Sequence, residues 1–385
     1  MKHTTLFWIL FFATLILFSW AVVQTARSQE PTLEQRVERL EAAVLRIHQS
    51  TALPILNPDP GPTPDPDPID PPPVSTAKIE LEKIGTFSLP QARGDGYERF
   101  GYSEGRIAWG EGKLWCSAHA YAVGKAKAMS VPPDFPDSPV IINPTWRDLT
   151  APNTESLIAQ IPGTAAKTMG GFAFKGETPV VVYRSVYNTA SINHPWLAFG
   201  SNGLFNTGVN NAIAEYVCID GNGLLCGASK VAGQGSGSYG PAIYSVTFES
   251  GKPVSTEIVF HAETDPFPDH NACSNWQGIA VVNNLIVLVG YLPIGKCIYK
   301  HPELGTPCFG ESGGYWADGG YTPTMLVYSR DGKLVQQEVL DIPGRCARVG
   351  GCAYDPDTKR FFVSEPNAVQ VGSERMPRIH VFKVQ

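Results

Sequence analysis

Arg, Tyr, Trp, His, Gln and Glu side chains recur at matched places in a short repeated unit of this chain. Tyr102, Glu104, Arg106, Trp276, Gln277 and Arg348 stand just before one apolar run of a unit, with Lys167, Asn210, Asn211 and Asn275 in similar places. His119, Arg184, Tyr291 and Glu365 stand just after the following run, with Tyr121, Tyr187 and Asn367 beside them. Flat rings that stack, together with guanidinium and amide groups that grip hydroxyls and carboxylates, make up a sugar site. The expected ligand-binding set is therefore Tyr102, Arg106, His119, Arg184, Trp276, Gln277, Tyr291 and Arg348. Glu104 and Glu365 are the carboxylates of the set, and a glycosidase needs two of them about 5 to 10 Å apart across a cleft.

Other chemistry is thinly represented. The segment "HAETDPFPDHNAC" carries His261, Asp265, Asp269 and His270. Asp265, Asp269 and His270 could hold a divalent cation such as Ca²⁺, but a proline-broken loop accounts for them equally, so no metal or cofactor is expected. "SINHPW" around His194 reads as a loop anchored by Trp196. No G-x-S-x-G, H-E-x-x-H or phosphate-cradling loop occurs, and "GQGSGSYG" lacks the lysine a phosphate loop needs.

The elements that must hold these residues are strands. Arg106-Ile-Ala-Trp109, Gly171-Phe-Ala-Phe174, Gly278-Ile-Ala-Val281 and Gly351-Cys-Ala-Tyr354 share one pattern, and Ala212-Ile-Ala-Glu215 is a weaker fifth copy. Each leads to a polar turn and then a second apolar run, which is a hairpin. The alanines are 65, 41, 66 and 73 residues apart. "AKAMSV", "AIYSVTF", "TEIVFHA", "TMLVYS", "LVQQEVL" and "RIHVFKV" supply the later strands. Five hairpin-led units predict an all-β, five-bladed β-propeller, with a β-sandwich as the competing fold. "IELEKIGTFSL" is a strand with no early partner, and pairing it with the last unit would close the ring and remove open edges.

The ending "RVGGCAYDPDTKRFFVSEPNAVQVGSERMPRIHVFKVQ" is similar to the closing segment of a family of exported bacterial and environmental β proteins that has no assigned activity. There an "IGGAAYDP.T.RLYVS" block precedes "P.IHV" and the chain end. The "GRIAW…LWCSAHAY…AMSVP" block resembles that family's first unit more weakly. The resemblance implies fold and export and supplies no catalytic residues.

The first 75 residues do not read as globular. Leu6 to Val23 is eighteen residues without a charge, preceded by Lys2 and followed by Arg27. That length can span a bilayer core, and a cleaved signal ending near Ala26 and Ser28 is the alternative. Residues 1–28 are thus a signal anchor or signal peptide, which places the rest outside the cytoplasm. In 29–50, Leu33, Val37, Leu40, Val44 and Ile47 form a 4-3-4-3 seam, the pattern of a short coiled-coil stalk that would associate as a homotrimer, with a single amphipathic helix lying near the membrane as the alternative. Residues 51–75 are proline- and aspartate-rich and read as an extended spacer, about 3.1 Å per residue. Residues 76–385 form the β domain.

Charged residues make up 17% of the chain and the net charge is −6, with no basic stripe to suggest a nucleic-acid partner. Eight cysteines, all in the β domain, suit disulfides behind an export signal. Pairing is not readable from spacing, although Cys218 with Cys226 and Cys297 with Cys308 flank short loops. The expected function is a membrane-tethered display module of the cell envelope that binds a glycan or cell-surface protein. A secreted form is the alternative location. A carbohydrate-active hydrolase or lyase and a structural envelope or appendage protein are the alternative functions.

The seam makes one measurement decisive. By light scattering, a chain beginning at Pro31 should be trimeric and one beginning at Thr76 monomeric; equal particle masses would exclude self-association through the stalk.

Overall fold

A computed structural model describes residues 78–91, 94–131, 140–141, 146–150, 155–156, 159, 167–185, 196–199, 204–206, 215–229, 240–249, 252–261, 269–270, 273–299, 315–344 and 346–385. The chain divides into two units, Met1–Val74 and Ser75–Gln385, and the described residues belong to the second. The anchor, stalk and spacer expectations lie outside them. No helix among the described residues is long and apolar enough to cross a membrane.

Among the described residues every paired strand is antiparallel. β1 (Leu81–Ser88) is set apart from the next element, β2 (Ile107–Gly110), which pairs with β3 (Lys113–Ser117) and then β4 (Lys125–Ser130). Short β5 (Val140–Ile141) and β6 (Arg147–Asp148) both pair with β4. The next sheet runs β7 (Lys167–Lys175), β8 (Thr178–Ser185), β9 (Trp196–Phe199), β10 (Leu204–Asn206). It is followed by β11 (Tyr216–Asp220), β12 (Gly223–Ala228), β13 (Ala242–Glu249), β14 (Lys252–Phe260). A further sheet is built from β15 (Asn275–Val282) and β16 (Leu285–Pro293), then, after the small hairpin of β17 (Cys297–Tyr299) and β18 (Tyr315–Ala317), from β19 (Tyr321–Tyr328) and β20 (Leu334–Val339). The last sheet is β21 (Gly351–Asp355), β22 (Arg360–Val371), β23 (Glu374–Val384) and, at its outer edge, β1. The expected closure is realised in that pairing, with Leu81 opposite Val384 and Ser88 opposite Arg378.

The first strands of the sheets neighbour one another in a closed circuit: β2 beside β7, β7 beside β11, β11 beside β15, β15 beside β21, and β21 beside β2. This is a β-propeller arrangement with four four-stranded blades and the β2–β6 sheet completing the circuit; it is not a sandwich.

Strand alternation explains how the inner strands pack. Ala108 lies in one apolar cluster with Phe172 and Phe174 of β7. Ala173 lies with Val217 and Ile219 of β11, and Cys218 with Ile279 and Val281 of β15. Ala280 lies with Cys352 and Tyr354 of β21, and Ala353 with Ile107 and Trp109 of β2. Each small residue therefore receives two larger ones from the next inner strand. The unit expected at Ala212–Glu215 is corrected to Tyr216–Asp220, where Cys218 takes the alanine place. Close approach is severe at Gly278, where an added Cβ would come within 2.4 Å of the Cys352 backbone nitrogen.

The cysteines depart from expectation. Cys273 bonds Cys297, and Cys346 is also disulfide-bonded, but Cys116, Cys218, Cys226 and Cys352 are free. Cys218 pairs in register with Leu225, and Cys226 with Val217. The two thiols thus project to opposite faces of their sheet and cannot be joined. Burial pushes all four free thiols up, Cys226 to about 12, so they are protonated and inert in the folded state. Peptide mapping after alkylation should find these four modified only in unfolded protein, whereas Cys273 and Cys297 should need reduction first. Alkylation of Cys218 or Cys226 only after reduction would contradict this arrangement.

Candidate functional site

The polar end of the axis lies where the inner strands begin. There Arg106, just ahead of β2, is buried and reaches across the ring. Its Nη1 donates to the carbonyls of Gln277 at 3.0 Å and Gly350 at 3.2 Å, while Nη2 lies 3.5 Å from the Glu104 carboxylate. A β-bulge makes this reach productive. Trp276 pairs with Gly290 and Gly278 with Val289, so Gln277 is the extra residue and its carbonyl turns out of the ladder. The space left among Arg106, Gly171, Tyr216, Gln277 and Gly351 is about 10 Å³, room for one water at most. Arg106 is therefore a plug tied to three partners, not the free guanidinium expected from its position.

Trp276 is likewise corrected. It is 0% exposed and packs with Tyr216, Leu225 and Ile286 between two sheets. The bulge directs the indole inward over Gly290, where a Cβ would come within 2.7 Å of the ring. Gln277, Tyr291 and their neighbours form a buried network rather than a ligand surface. Ser229 Oγ and Gln277 Nε2 both donate to Asn275 Oδ1, and Asn275 Nδ2 donates to Tyr291 at 3.0 Å. Glu215, which the misplaced repeat hid, anchors this network by accepting from the Ser229 amide at 3.2 Å. Arg348 sits 4.6 Å from the Tyr321 ring and 5.7 Å from that of Tyr291, and donates to the Tyr321 hydroxyl.

Glu365 is held in the neighbouring blade, next to Ser364, whose hydroxyl donates to the Gly105 carbonyl. It accepts from His380 Nε2 at 3.0 Å and lies 3.8 Å from Arg378, its cross-strand partner. Both carboxylates of the sequence analysis are thus engaged in ion pairs. Arg184 is placed at the end of β8 opposite Thr168, with its side chain outside the described residues, as is Asp265. Asp269 is exposed while adjacent His270 is buried, and no metal-ligating group of three His, Cys, Asp or Glu occurs among the described residues.

The open surface lies beside the plug, around His119. Its ring is 4.9 Å from that of Tyr97, 5.1 Å from Tyr121 and 5.9 Å from Tyr102. These tyrosines are 49%, 67% and 44% exposed in that order. Tyr102 adopts a left-handed backbone at φ 55°, strained for a large side chain. Its amide is held by the Arg375 carbonyl, and its hydroxyl donates to the Ser373 carbonyl at 2.9 Å. His119 Nδ1 accepts from the Tyr121 amide, so the neutral ring carries its proton on Nε2. His119 also lines a small recess with Glu104 and Arg106. Tyr97 and Tyr121 were not in the expected ligand set. Tyr97 precedes the first unit altogether, and only its loop's return across His119 brings it in.

Sheets and circuit define the chain as a β-propeller protein. No protein-family model and no curated protein matches it. Among solved structures it is similar to an α-L-arabinofuranosidase from Podospora anserina in complex with cellotriose, at 11% identity and TM-score 0.38, over 78% of this chain and 97% of that one. It is similar to a GH43_1 enzyme from Xanthomonas citri at 10% identity and TM-score 0.40, over 74% and 87%. A member of the DUF4221 family from Bacteroides vulgatus matches at 10% identity and TM-score 0.39, over 80% and 98%. At these values the likenesses carry no inference about chemistry.

Burial, reinforced by Arg99 and opposed by Glu374, lowers the His119 pKa. The unfolded chain therefore takes up this proton first, near pH 6.5. The group's contribution to stability is present above that pH and is lost as pH falls toward the lower folded value. Urea melts of the wild type and His119→Asn at pH 7.5 and pH 5.5 should show the wild type losing more stability on acidification. Parallel losses would show that His119 stays unshifted.

Proposed function

We propose that this protein is an extracytoplasmic, membrane-tethered five-bladed propeller that binds a glycan on the tyrosine surface around His119. The fifth blade in this reading is the β2–β6 sheet, supported by its place in the circuit between β21 and β7. The tether is supported by the uncharged run from Leu6 to Val23, and the reach by the stalk and proline-rich spacer of 29–75. A display role fits a surface held away from its anchor, where several copies act together.

The observation that carries the binding reading is the packing of three exposed tyrosines over one buried, neutral histidine. Exposed rings in a cluster present apolar faces to a pyranose while the hydroxyls of Tyr97 and Tyr121 meet its oxygens. Glu104 and Arg106 line the recess beside them and supply further polar groups. Binding is favoured over hydrolysis because Glu104 and Glu365 each lie within ion-pair distance of an arginine, Arg106 and Arg378.

Glycan-array screening followed by calorimetry tests this. Tyr97→Ala and Tyr121→Ala should each weaken the retained glycan about tenfold, or about 1.4 kcal/mol, and leave the melting temperature nearly unchanged. Trp276→Ala, the packing control, should instead cost about 3 to 5 kcal/mol of stability. Wild-type affinity in both tyrosine variants, or an array with no retained glycan, would overturn the proposal.

A further inference from the structure

On the face where the inner strands begin, arginines are held in two ways. Arg99 and Arg106 each lie within ion-pair distance of a carboxylate, Glu374 and Glu104. Arg348 is held by rings. Its guanidinium lies 4.6 Å from the Tyr321 ring and 5.7 Å from the Tyr291 ring, and those two rings meet edge-on at 4.9 Å. Both tyrosines are buried, whereas Arg348 is half-exposed. Disulfide chemistry braces this clamp. Bonded Cys273 and Cys297 pack in one cluster with the two rings, and disulfide-bonded Cys346 stands two residues before Arg348.

The clamp shares its face with the tyrosine surface. Tyr291 pairs with Asn275 at the start of β15, and His119 follows β3, whose Cys116 pairs with Ile107 at the start of β2. A run of polar contacts joins the two places. Glu104 and Arg106 line the His119 recess; Arg106 donates to the Gln277 carbonyl, the Gln277 amide to Asn275, and Asn275 to the Tyr291 hydroxyl.

We infer that the glycan is acidic and that Arg348 takes the carboxylate of one of its uronic acid units, an inference that rests on glycan binding at the tyrosine surface. Aromatic faces hold a guanidinium flat without neutralising its charge. The planar fork matches a carboxylate with two parallel hydrogen bonds, and one of its five donors goes to the Tyr321 hydroxyl. Buried rings and nearby disulfides order the side chain before ligand arrives, so little freedom is lost on binding. The hydrogen-bonded floor between Tyr291 and His119 sets the spacing of clamp and tyrosines, which one extended oligosaccharide then spans.

Oligosaccharides of hyaluronate, polygalacturonate and alginate, each beside its carboxyl-reduced counterpart, are the probes, titrated into the full-length protein by calorimetry. One or more acidic members should bind about tenfold more tightly than the reduced form, with affinity falling as salt rises. Arg348→Gln should bring the two forms to within about twofold of each other, whereas Tyr97→Ala should weaken both alike and preserve their ratio. If Arg348→Gln fails to fold, Arg348→Lys, which keeps the charge and loses the fork, should cut the ratio about threefold. Retention of a neutral glycan with no preference for any acidic probe would overturn the acidic assignment and leave the tyrosine site standing. An acidic preference that survives unchanged in a folded Arg348 variant would overturn the role of Arg348, and no retained glycan of either kind would remove the tyrosine site and this inference together.

Discussion

Between neighbouring sheets, one small residue of an inner strand receives two larger residues of the next, and the same contact recurs around the whole circuit. Ala108 under Phe172 and Phe174 is one instance, and Ala353 under Ile107 and Trp109 is the one that returns the circuit to its start. Alternation forces the arrangement, because a strand that turns its bulky pair toward the preceding sheet must turn the residue between them toward the following one. A larger residue at the alanine position would push two sheets apart at the axis, where inner-strand backbones already approach as closely as Gly278 and Cys352. The pairing of β1 with β23 joins the first and last strands of the described residues in one sheet, and that sheet stands beside β2 in the circuit.

The two ends of the axis follow from where each inner strand carries its irregularities. At the strand starts, the bulges at Gly170 and Gln277 break the ladder. The carbonyl freed at Gln277 needs a donor, and Arg106 supplies it. Its charge in turn needs a carboxylate, and Glu104 lies within 3.5 Å. That sequence of requirements fills the axial mouth with structure and leaves ligand recognition to the loop beside it. Toward the turns the strands are regular; each inner strand pairs on one edge only and leaves the other edge toward the axis, while its side chains pack between sheets.

Much of the fold was legible from the residues because alternation and turn chemistry are local. The hairpins, the order of later strands and the closing role of the first strand all follow from period-two runs bounded by Gly, Asn and Asp. The third unit was misplaced because Cys218 fills a hole that Ala fills elsewhere, while Ala212-Ile-Ala-Glu215 imitates the pattern just upstream. A four-residue shift then nominated Asn210 and Asn211 and concealed Glu215. Trp276 was misassigned for a related reason: a bulge changes which face a residue takes, and strict alternation does not contain it. The short loops flanking Cys218 and Cys226 suggested a bond that the opposite faces of one strand pair forbid.

The tyrosine surface was only half legible, and the missing half is non-local. Tyr102 and His119 belong to the repeat, so their proximity follows from the hairpin, and the isolated bridge between Ser103 and His119 extends it. Tyr97 reaches His119 through the loop between β1 and β2, where the Arg99 carbonyl takes the His119 amide. Arg99 itself is fixed by Glu374 at 3.3 Å, a residue 275 positions away and on the strand that closes the ring. The loop that carries Tyr97 is thus tied to β23, where Glu374, opposite Val371 of β22, holds Arg99. A surface built this way is as rigid as the circuit that holds it, which is the property a preorganised binding platform requires.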